Sequence, residues 1–206
     1  MFGDSDIPHL DRADRITKTD VEASFECGLL HLRANRRSRA IESWRRCLTY
    51  SRKHADLVLS LGRGGLDDET LANEVIPSDP VLLLQVARKQ RRINPNSNLA
   101  QLAAKRVLDM QNQTTTDEPQ HEYNRGAAAA ILGEPSRAAR HYGNAVRSRP
   151  NQTEWRYQYA TTLCSIGDLG EAQKQLQWCL GVNPSNSKYR RLMKNLKKNM
   201  ETVSDL

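Results

Sequence analysis

Apolar residues recur along this chain at intervals of three and four, the spacing that collects side chains on one face of an α-helix. Two clear runs lie at 99–110 and 187–200, where leucine, valine and methionine alternate with polar residues at helical spacing. A composition low in aromatic residues (5%) and rich in alanine, leucine and arginine also favours helices, because long unbranched side chains lose little rotamer freedom there. The pattern predicts an all-α chain.

A sequence repeat with a period of 34 residues joins 119–152 to 153–186. Six pairs of equivalent residues carry it: Gly126 and Ala160, Gly133 and Gly167, Glu134 and Asp168, Ala138 and Ala172, Ala145 and Cys179, and Pro150 and Pro184. Six matches in one order predict two units of the same structure, each a pair of antiparallel helices.

The residue types of the repeat fit that structure. Small residues let two antiparallel helices approach closely, and Gly133 and Gly167 stand where the first helix must end in a left-handed residue. Pro150 and Pro184 follow the second helix, which a residue without an N–H terminates. Residues 151 and 154 have the spacing of a capping box at the start of the next helix.

A third copy of the pattern spans residues 21–54. Its equivalent residues are Gly28, Ala40, Trp44, Cys47 and Leu48. Asn35 takes the place of the turn glycine, because asparagine tolerates the left-handed region better than most residues. Thr19 and Glu22 have capping-box spacing before the first helix.

The remaining segments are less regular. Residues 55–113 form a divergent part of the array, in which Asp79 and Pro80 start a helix as N-cap and first residue. Residues 113–118 are predicted to be a connecting loop, residues 1–18 a disordered N-terminal segment, and residues 187–206 a cap helix and tail. The predicted repeat domain is therefore 19–186, with units 21–54, 55–113, 119–152 and 153–186.

The repeat pattern resembles the tetratricopeptide repeat (TPR), which also carries small residues, glycine, alanine and proline at these positions. Two departures are Trp155, one residue before the usual aromatic position, and Arg125 at an apolar position. The resemblance implies an α–α superhelix, a TPR-like solenoid of about four to five helix pairs with a C-terminal cap helix.

In that family the first helices line a concave groove that binds a peptide or a helix of a partner protein. The resemblance implies that the groove residues here are Phe25, Leu29, Arg33, Tyr123, Asn124, Ala127, Glu154, Tyr157 and Thr161. The alternative is that Phe25 and Leu29 pack against the neighbouring unit. Asn124 alone, without lysine or arginine at the companion positions, disfavours recognition of a C-terminal carboxylate.

The net charge of +7, from 31 lysines and arginines against 24 acids, permits an anionic partner without requiring one. The basic residues cluster on two patches: Arg36, Arg37, Arg45 and Arg46 on one, and Lys188, Arg191 and Lys194 on the other. Nucleic acid or an anionic membrane is the alternative partner for these patches. The other reading of both patches is a solvated helix face, since aromatic stacking residues are missing from them.

Other chemistry finds little support in the sequence. Cys27, His31 and Cys47 could supply three zinc ligands, but compact core residues are expected at both cysteine positions. Residues 62–65 are glycine-rich but lack the GK[ST] ending of a P-loop. The five histidines are scattered, and His141 is expected at a partly exposed surface. The sequence therefore predicts a non-enzymatic scaffold for a protein partner, without cofactor, metal or small-molecule substrate.

The expected location is cytoplasmic, as a complete protein or as a soluble domain of a larger one. No stretch approaches the roughly 18 to 20 apolar residues of a membrane helix, and residues 1–6 lack the features of a secretory signal. Residues 155–157 and 77–84 resemble repeat arrays attached to bacterial envelope-polysaccharide polymerase and ligase proteins.

Overall fold

The computed structural model describes residues 6–16, 19–112 and 118–204, and all its regular elements there are helical. The all-α prediction is confirmed. Residues group into two compact units, 1–106 and 107–206. The helices are α1 (Asp6–Ile16), α2 (Val21–Arg33), α3 (Arg37–Tyr50), α4 (Ala55–Gly62), α5 (Asp68–Thr70), α6 (Pro80–Ile93), α7 (Asn98–Asn112), α8 (Pro119–Ile131), α9 (Pro135–Ser148), α10 (Thr153–Ile166), α11 (Leu169–Val182) and α12 (Ser187–Ser204).

The chain reverses between paired helices at the residues that the sequence indicates. Asn35, Gly133 and Gly167 have φ angles of 57°, 78° and 82°, in the left-handed region. Asparagine and glycine adopt this conformation at the lowest cost. The predicted loop at 113–117 and the predicted tail at 205–206 lie outside the described residues.

Two helix starts differ from the predicted capping boxes. Asp20, not Thr19, caps α2 and accepts a hydrogen bond from the Ala23 N–H at 3.0 Å. Gln152, not Asn151, precedes α10, and it makes no side-chain cap. Asp79 caps α6 as predicted and accepts a hydrogen bond from the Val81 N–H at 2.9 Å, and Pro80 is the first residue of the helix. Aspartate is among the strongest N-caps, which explains why Asp20 takes the role at α2.

In the unit of residues 1–106, α2 and α3 meet where a glycine faces a tryptophan. A Cβ on Gly28 would overlap the indole of Trp44. The Trp44 side chain is fully buried, and its Nε1–H donates to the Phe25 carbonyl at 3.1 Å. Cys27 and Cys47 are buried beside this contact, and burial raises the pKa of Cys47 to about 11. Both cysteines are core residues, and the raised pKa keeps the Cys47 thiol protonated at neutral pH.

Residues 6–16 form helix α1, so the prediction of disorder is wrong there; residues 1–5 and 17–18 lie outside the described residues. Charged side chains of the helix contact distant residues, which hydrophobic periodicity does not register. Asp14 is buried, accepts from the Ser43 hydroxyl at 2.8 Å and pairs with Arg46. Asp11 pairs with Arg36 at 2.7 Å, and the hydrogen bond from Arg36 lowers the pKa of Asp11.

Residues 55–75 form shorter and less regular elements. Asp67 caps α5, and α5 continues directly into a π-helical turn, Leu71–Val75. Gly62 of α4 lies against the Leu71 side chain. Arg106 of α7 donates to the carbonyls of Ala72 and Ile76 at 2.5 and 2.6 Å, satisfying acceptors at the end of that turn.

In the unit of residues 107–206, α8 packs on α9, α9 on α10, α10 on α11, and α11 on α12. Tyr142 of α9 fills the space left by Gly126 of α8. The equivalent residues of α10 and α11 are Ala160 and Leu176, which share one buried cluster with Met193 and Leu196 of α12. A larger residue on the first helix is thus matched by a smaller one on the second.

A buried polar network joins α8 to α9. The Glu122 carboxylate lies 3.0 Å from His141 Nδ1 and accepts from Asn144 at 2.9 Å and from Arg125 at 2.7 Å. Burial acts to raise the pKa of Glu122, but these three hydrogen bonds outweigh it and the pKa is lowered. His141 is buried, which corrects its expected surface position: its partner lies 19 residues away in sequence.

Substituting alanine for Gly126 should destabilise the fold. The new Cβ would lie 2.7 Å from the ring of Tyr142, which is buried and packs against Tyr123, so the ring has little room to move. We expect the free energy of unfolding in urea to fall by about 1–3 kcal/mol.

The matched control is Gly181→Ala in α11, where an added Cβ meets no atom within 4 Å. Alanine in an open helical position should leave the stability unchanged or raise it by up to about 1 kcal/mol. Equal stability of the Gly126→Ala chain and the unsubstituted chain would contradict the close contact of α8 and α9.

Glu122→Gln should remove an acid-sensitive part of the stability. Because the pKa of Glu122 is lowered on folding, its contribution is complete above its unfolded pKa and is lost as the pH falls through its folded pKa. We expect the variant to be less stable by about 1–3 kcal/mol at pH 7. The difference in the free energy of unfolding between the variant and the unsubstituted chain should narrow as the pH falls towards about 3. Urea unfolding at a series of pH values measures it.

Glu134→Gln is the control for that pH series. Glu134, the residue before α9, is exposed and pairs with Arg137 of that helix at 3.0 Å. An exposed pair of this kind contributes between 0 and about 1 kcal/mol. If the loss of stability in Glu122→Gln stays constant with pH, the carboxylate charge of Glu122 does not stabilise the α8–α9 contact.

Candidate partner-binding surface

On α10, three groove positions from the sequence form an accessible strip, which we call the α10 strip: Glu154, Tyr157 and Thr161. Glu154 and Thr161 are exposed and Tyr157 is half-buried. The three recur at spacings of three and four, so they share one face of the helix. Ala160 and Leu163 of the same helix are buried in the core, and Tyr157 packs partly against their cluster.

Neighbouring side chains order the α10 strip. The Tyr157 ring packs at a tilt against Tyr189 of α12, with centroids 5.2 Å apart. Gln158 donates to the Glu154 carboxylate at 2.6 Å, and the Thr161 hydroxyl donates to the Tyr157 carbonyl at 2.8 Å. The strip therefore offers an aromatic ring, an acid and a methyl group from a rigid helix, a mixture suited to contact with a peptide.

The groove positions predicted on α8 are buried, which corrects their assignment to an open groove. Tyr123, Asn124 and Ala127 are 8%, 4% and 2% exposed. The Tyr123 ring stacks on Trp155 of α10 with centroids 5.2 Å apart, and Asn124 accepts from Gln120 at 3.1 Å. The displaced tryptophan, one residue early in the repeat, explains this burial: it occupies the edge of α8 that Tyr123 would otherwise expose.

On α2 the predicted residues are open to different degrees. Arg33 is exposed, while Phe25 and Leu29 are half-buried. The Phe25 ring lies 5.7 Å from the ring of His54, and His54 Nε2 lies 3.0 Å from the Glu22 carboxylate. Phe25 therefore packs partly on a residue of its own repeat unit, whereas the alternative reading has it pack against the neighbouring unit.

The two basic patches differ in how much of their charge is neutralised. In the first, Arg36 and Arg46 are half-buried in ion pairs with α1, and Arg46 also pairs with Glu42 at 3.3 Å. Arg37 and Arg45 remain exposed. In the second, Lys188, Arg191 and Lys194 are all exposed on α12. The α12 patch is the more accessible of the two.

Sequence reasoning misses the buried cluster beneath α1. His31 is fully buried, and its Nε2 lies 3.9 Å from the Asp14 carboxylate, too far for a hydrogen bond. Burial, followed by the charge of Arg36, lowers the pKa of His31. The sequence hints at this cluster only through the alternation of Asp11 and Asp14 with arginines in residues 11–15. That alternation does not indicate which distant residues the aspartates contact.

The structure also bears on metal and membrane chemistry. Among the described residues, no three His, Cys, Asp or Glu side chains come together as a metal site needs. Of the helices in residues 6–16, 19–112 and 118–204, none is long and apolar enough to cross a bilayer.

The sequence matches no protein-family model, and it has no match among curated proteins. The structure is similar to the APC/C hetero-tetramer Cut9–Hcn1, with a TM-score of 0.51 and 14% identity over 92% of this chain and 38% of that chain. It is also similar to the TPR domain of P58(IPK), with a TM-score of 0.41 and 14% identity over 97% of this chain and 51% of that chain. A thermophilic TPR protein of Thermus thermophilus is similar with a TM-score of 0.38 and 15% identity, over 85% of this chain and 98% of that chain.

This chain spans about two fifths of the Cut9–Hcn1 chain and half of the P58(IPK) chain. At 14% identity the first of these similarities bears on the fold alone. Its coverage of 92% agrees with the paired helices described above. The predicted TPR-like, all-α repeat fold is therefore confirmed.

Proposed function

We propose that this chain is a protein-interaction scaffold that binds a peptide or a helix of a partner protein along the inner faces of its first helices. The observation that supports this proposal is the α10 strip. Glu154 and Thr161 are exposed and Tyr157 is half-buried, while Ala160 and Leu163 of the same helix are in the core. Tyrosine in such a strip supplies a large contact area and a hydroxyl at a small entropic cost.

The alternative, a binder of nucleic acid or of anionic membrane, has weaker support. Arg36 and Arg46 already pair with acids of α1. The α12 patch lacks an exposed aromatic residue among its described side chains, so base stacking is not available there. The α10 strip is the better candidate because it is accessible and chemically mixed.

Thr161→Arg should block partner binding at the α10 strip. Thr161 is exposed, so the longer, charged side chain leaves the core intact and occupies the space of a bound peptide. The ligand is a peptide selected from a displayed random library on the unsubstituted chain, measured by fluorescence anisotropy. We expect its affinity to fall about tenfold or more, a change of about 1.4 kcal/mol.

Gln177→Arg is the matched control, since Gln177 is equally exposed but lies on α11, a second helix. It should change the affinity by less than about twofold. Affinity for the selected peptide should also vary little between about 50 and 200 mM salt, unlike binding to a phosphate backbone. Equal affinities of the two variants would place the peptide elsewhere and contradict the proposal.

A further inference from the structure

We propose that Arg190, Lys194 and Lys197, which we call the α12 ridge, form a docking site for an acidic helix of a partner protein. The three residues lie at i, i+4 and i+7 on α12, in one line about 10 Å long. The α12 ridge and the α10 strip share no residue, so this inference does not rest on the proposed peptide binding.

The 34-residue repeat shows what this line of positions does on other helices. The equivalent residues of α10 are Arg156, Ala160 and Leu163, and the last two pack in a buried cluster with Ala172 and Leu176 of α11. In the α10–α11 pair, the first helix packs against the second helix along this line of positions.

Helices α8 and α2 follow the same rule. On α8 the central residue of the line is Gly126, which lies against Tyr142 of α9. On α2 the line is Ser24, Gly28 and His31, all buried. The positions are therefore helix-binding positions in three separate pairs.

On α12 the same positions are open and cationic. Arg190, Lys194 and Lys197 are exposed, although Arg190 donates to the Ser185 carbonyl at 3.0 Å. The apolar face of α12 is already used, since Met193 and Leu196 are buried in the cluster with α11. A helix that docks on the α12 ridge must therefore be recognised by charge rather than by apolar contact.

The charge on α12 is of one sign. Its cations are Lys188, Arg190, Arg191, Lys194, Lys197 and Lys198, and Glu201 is its one acid. Within the described residues none of these cations forms an ion pair. Like charges three and four residues apart destabilise a helix. Solubility alone is served equally well by mixed charges, so an anionic partner explains the composition better.

A helix fits this surface better than nucleic acid does. The chain already holds one helix on basic residues through its carboxylates, because α1 docks through Asp11 and Asp14 onto Arg36 and Arg46. The spacing of the α12 ridge also matches one face of a facing helix. Tyr189, the aromatic residue of α12, is buried and unable to stack on a base.

The test uses the full chain and two synthetic helical peptides of equal charge, measured by fluorescence anisotropy at about 150 mM salt. One peptide carries glutamates at i, i+4 and i+7, and its isomer carries them around the helix. The first should bind more tightly. The triple variant Arg190→Gln, Lys194→Gln and Lys197→Gln should weaken it about tenfold.

The control variant removes three other cations of the same helix: Lys188→Gln, Arg191→Gln and Lys198→Gln. It should weaken binding by about threefold or less, because these cations lie beside the line of i, i+4 and i+7 positions that the glutamates of the peptide match. All six residues are exposed, so both variants should keep the helix content in circular dichroism.

Four results would overturn the proposal. They are no binding of the acidic peptide at about 1 mM, equal losses in the two triple variants, equal binding of the isomer, and tighter binding of a 12-base-pair DNA duplex than of the peptide. The last result would assign the surface to nucleic acid. Failure of this test would leave the binding of a library peptide at the α10 strip unaffected.

Discussion

The structure depends on one recurring contact, in which a small residue of a first helix receives a large side chain from the second helix, 16 residues later. Gly28 receives Trp44, Gly126 receives Tyr142, and Ala160 shares a buried cluster with Leu176. The missing side chain lets the two helices approach, and close packing of interiors makes a change of one methyl group significant. The size of one partner therefore limits the size of the other.

This contact also decides which surfaces remain for a partner. A first helix that commits one face to its second helix can leave other residues accessible, and on α10 these are the exposed Glu154 and Thr161 and the half-buried Tyr157. On α8 an additional aromatic stack between Tyr123 and Trp155 covers the equivalent face. The scaffold is regular in its packing, while the accessible chemistry is set by single side chains that depart from the repeat.

The sequence predicts the fold through features that are local or periodic. The left-handed turns at Asn35, Gly133 and Gly167 and the helix pairs around them follow from residue type and spacing. Helix α1 escapes such reasoning because buried Asp14 is held by Ser43 and Arg46, about thirty residues away. The buried positions of His141 and Tyr123 escape it for the same reason, since their partners are Glu122 and Trp155 on neighbouring helices. Contacts of this kind need the fold before they can be recognised.

An experimentally determined structure of the chain tests the recurring contact most directly. Residues 119–152 should superimpose on residues 153–186, with Gly126 on Ala160 and Tyr142 on Leu176 at the closest approach of the paired helices. Helix pairs that fail to superimpose, or that cross at residues unrelated by the 34-residue interval, would contradict the account.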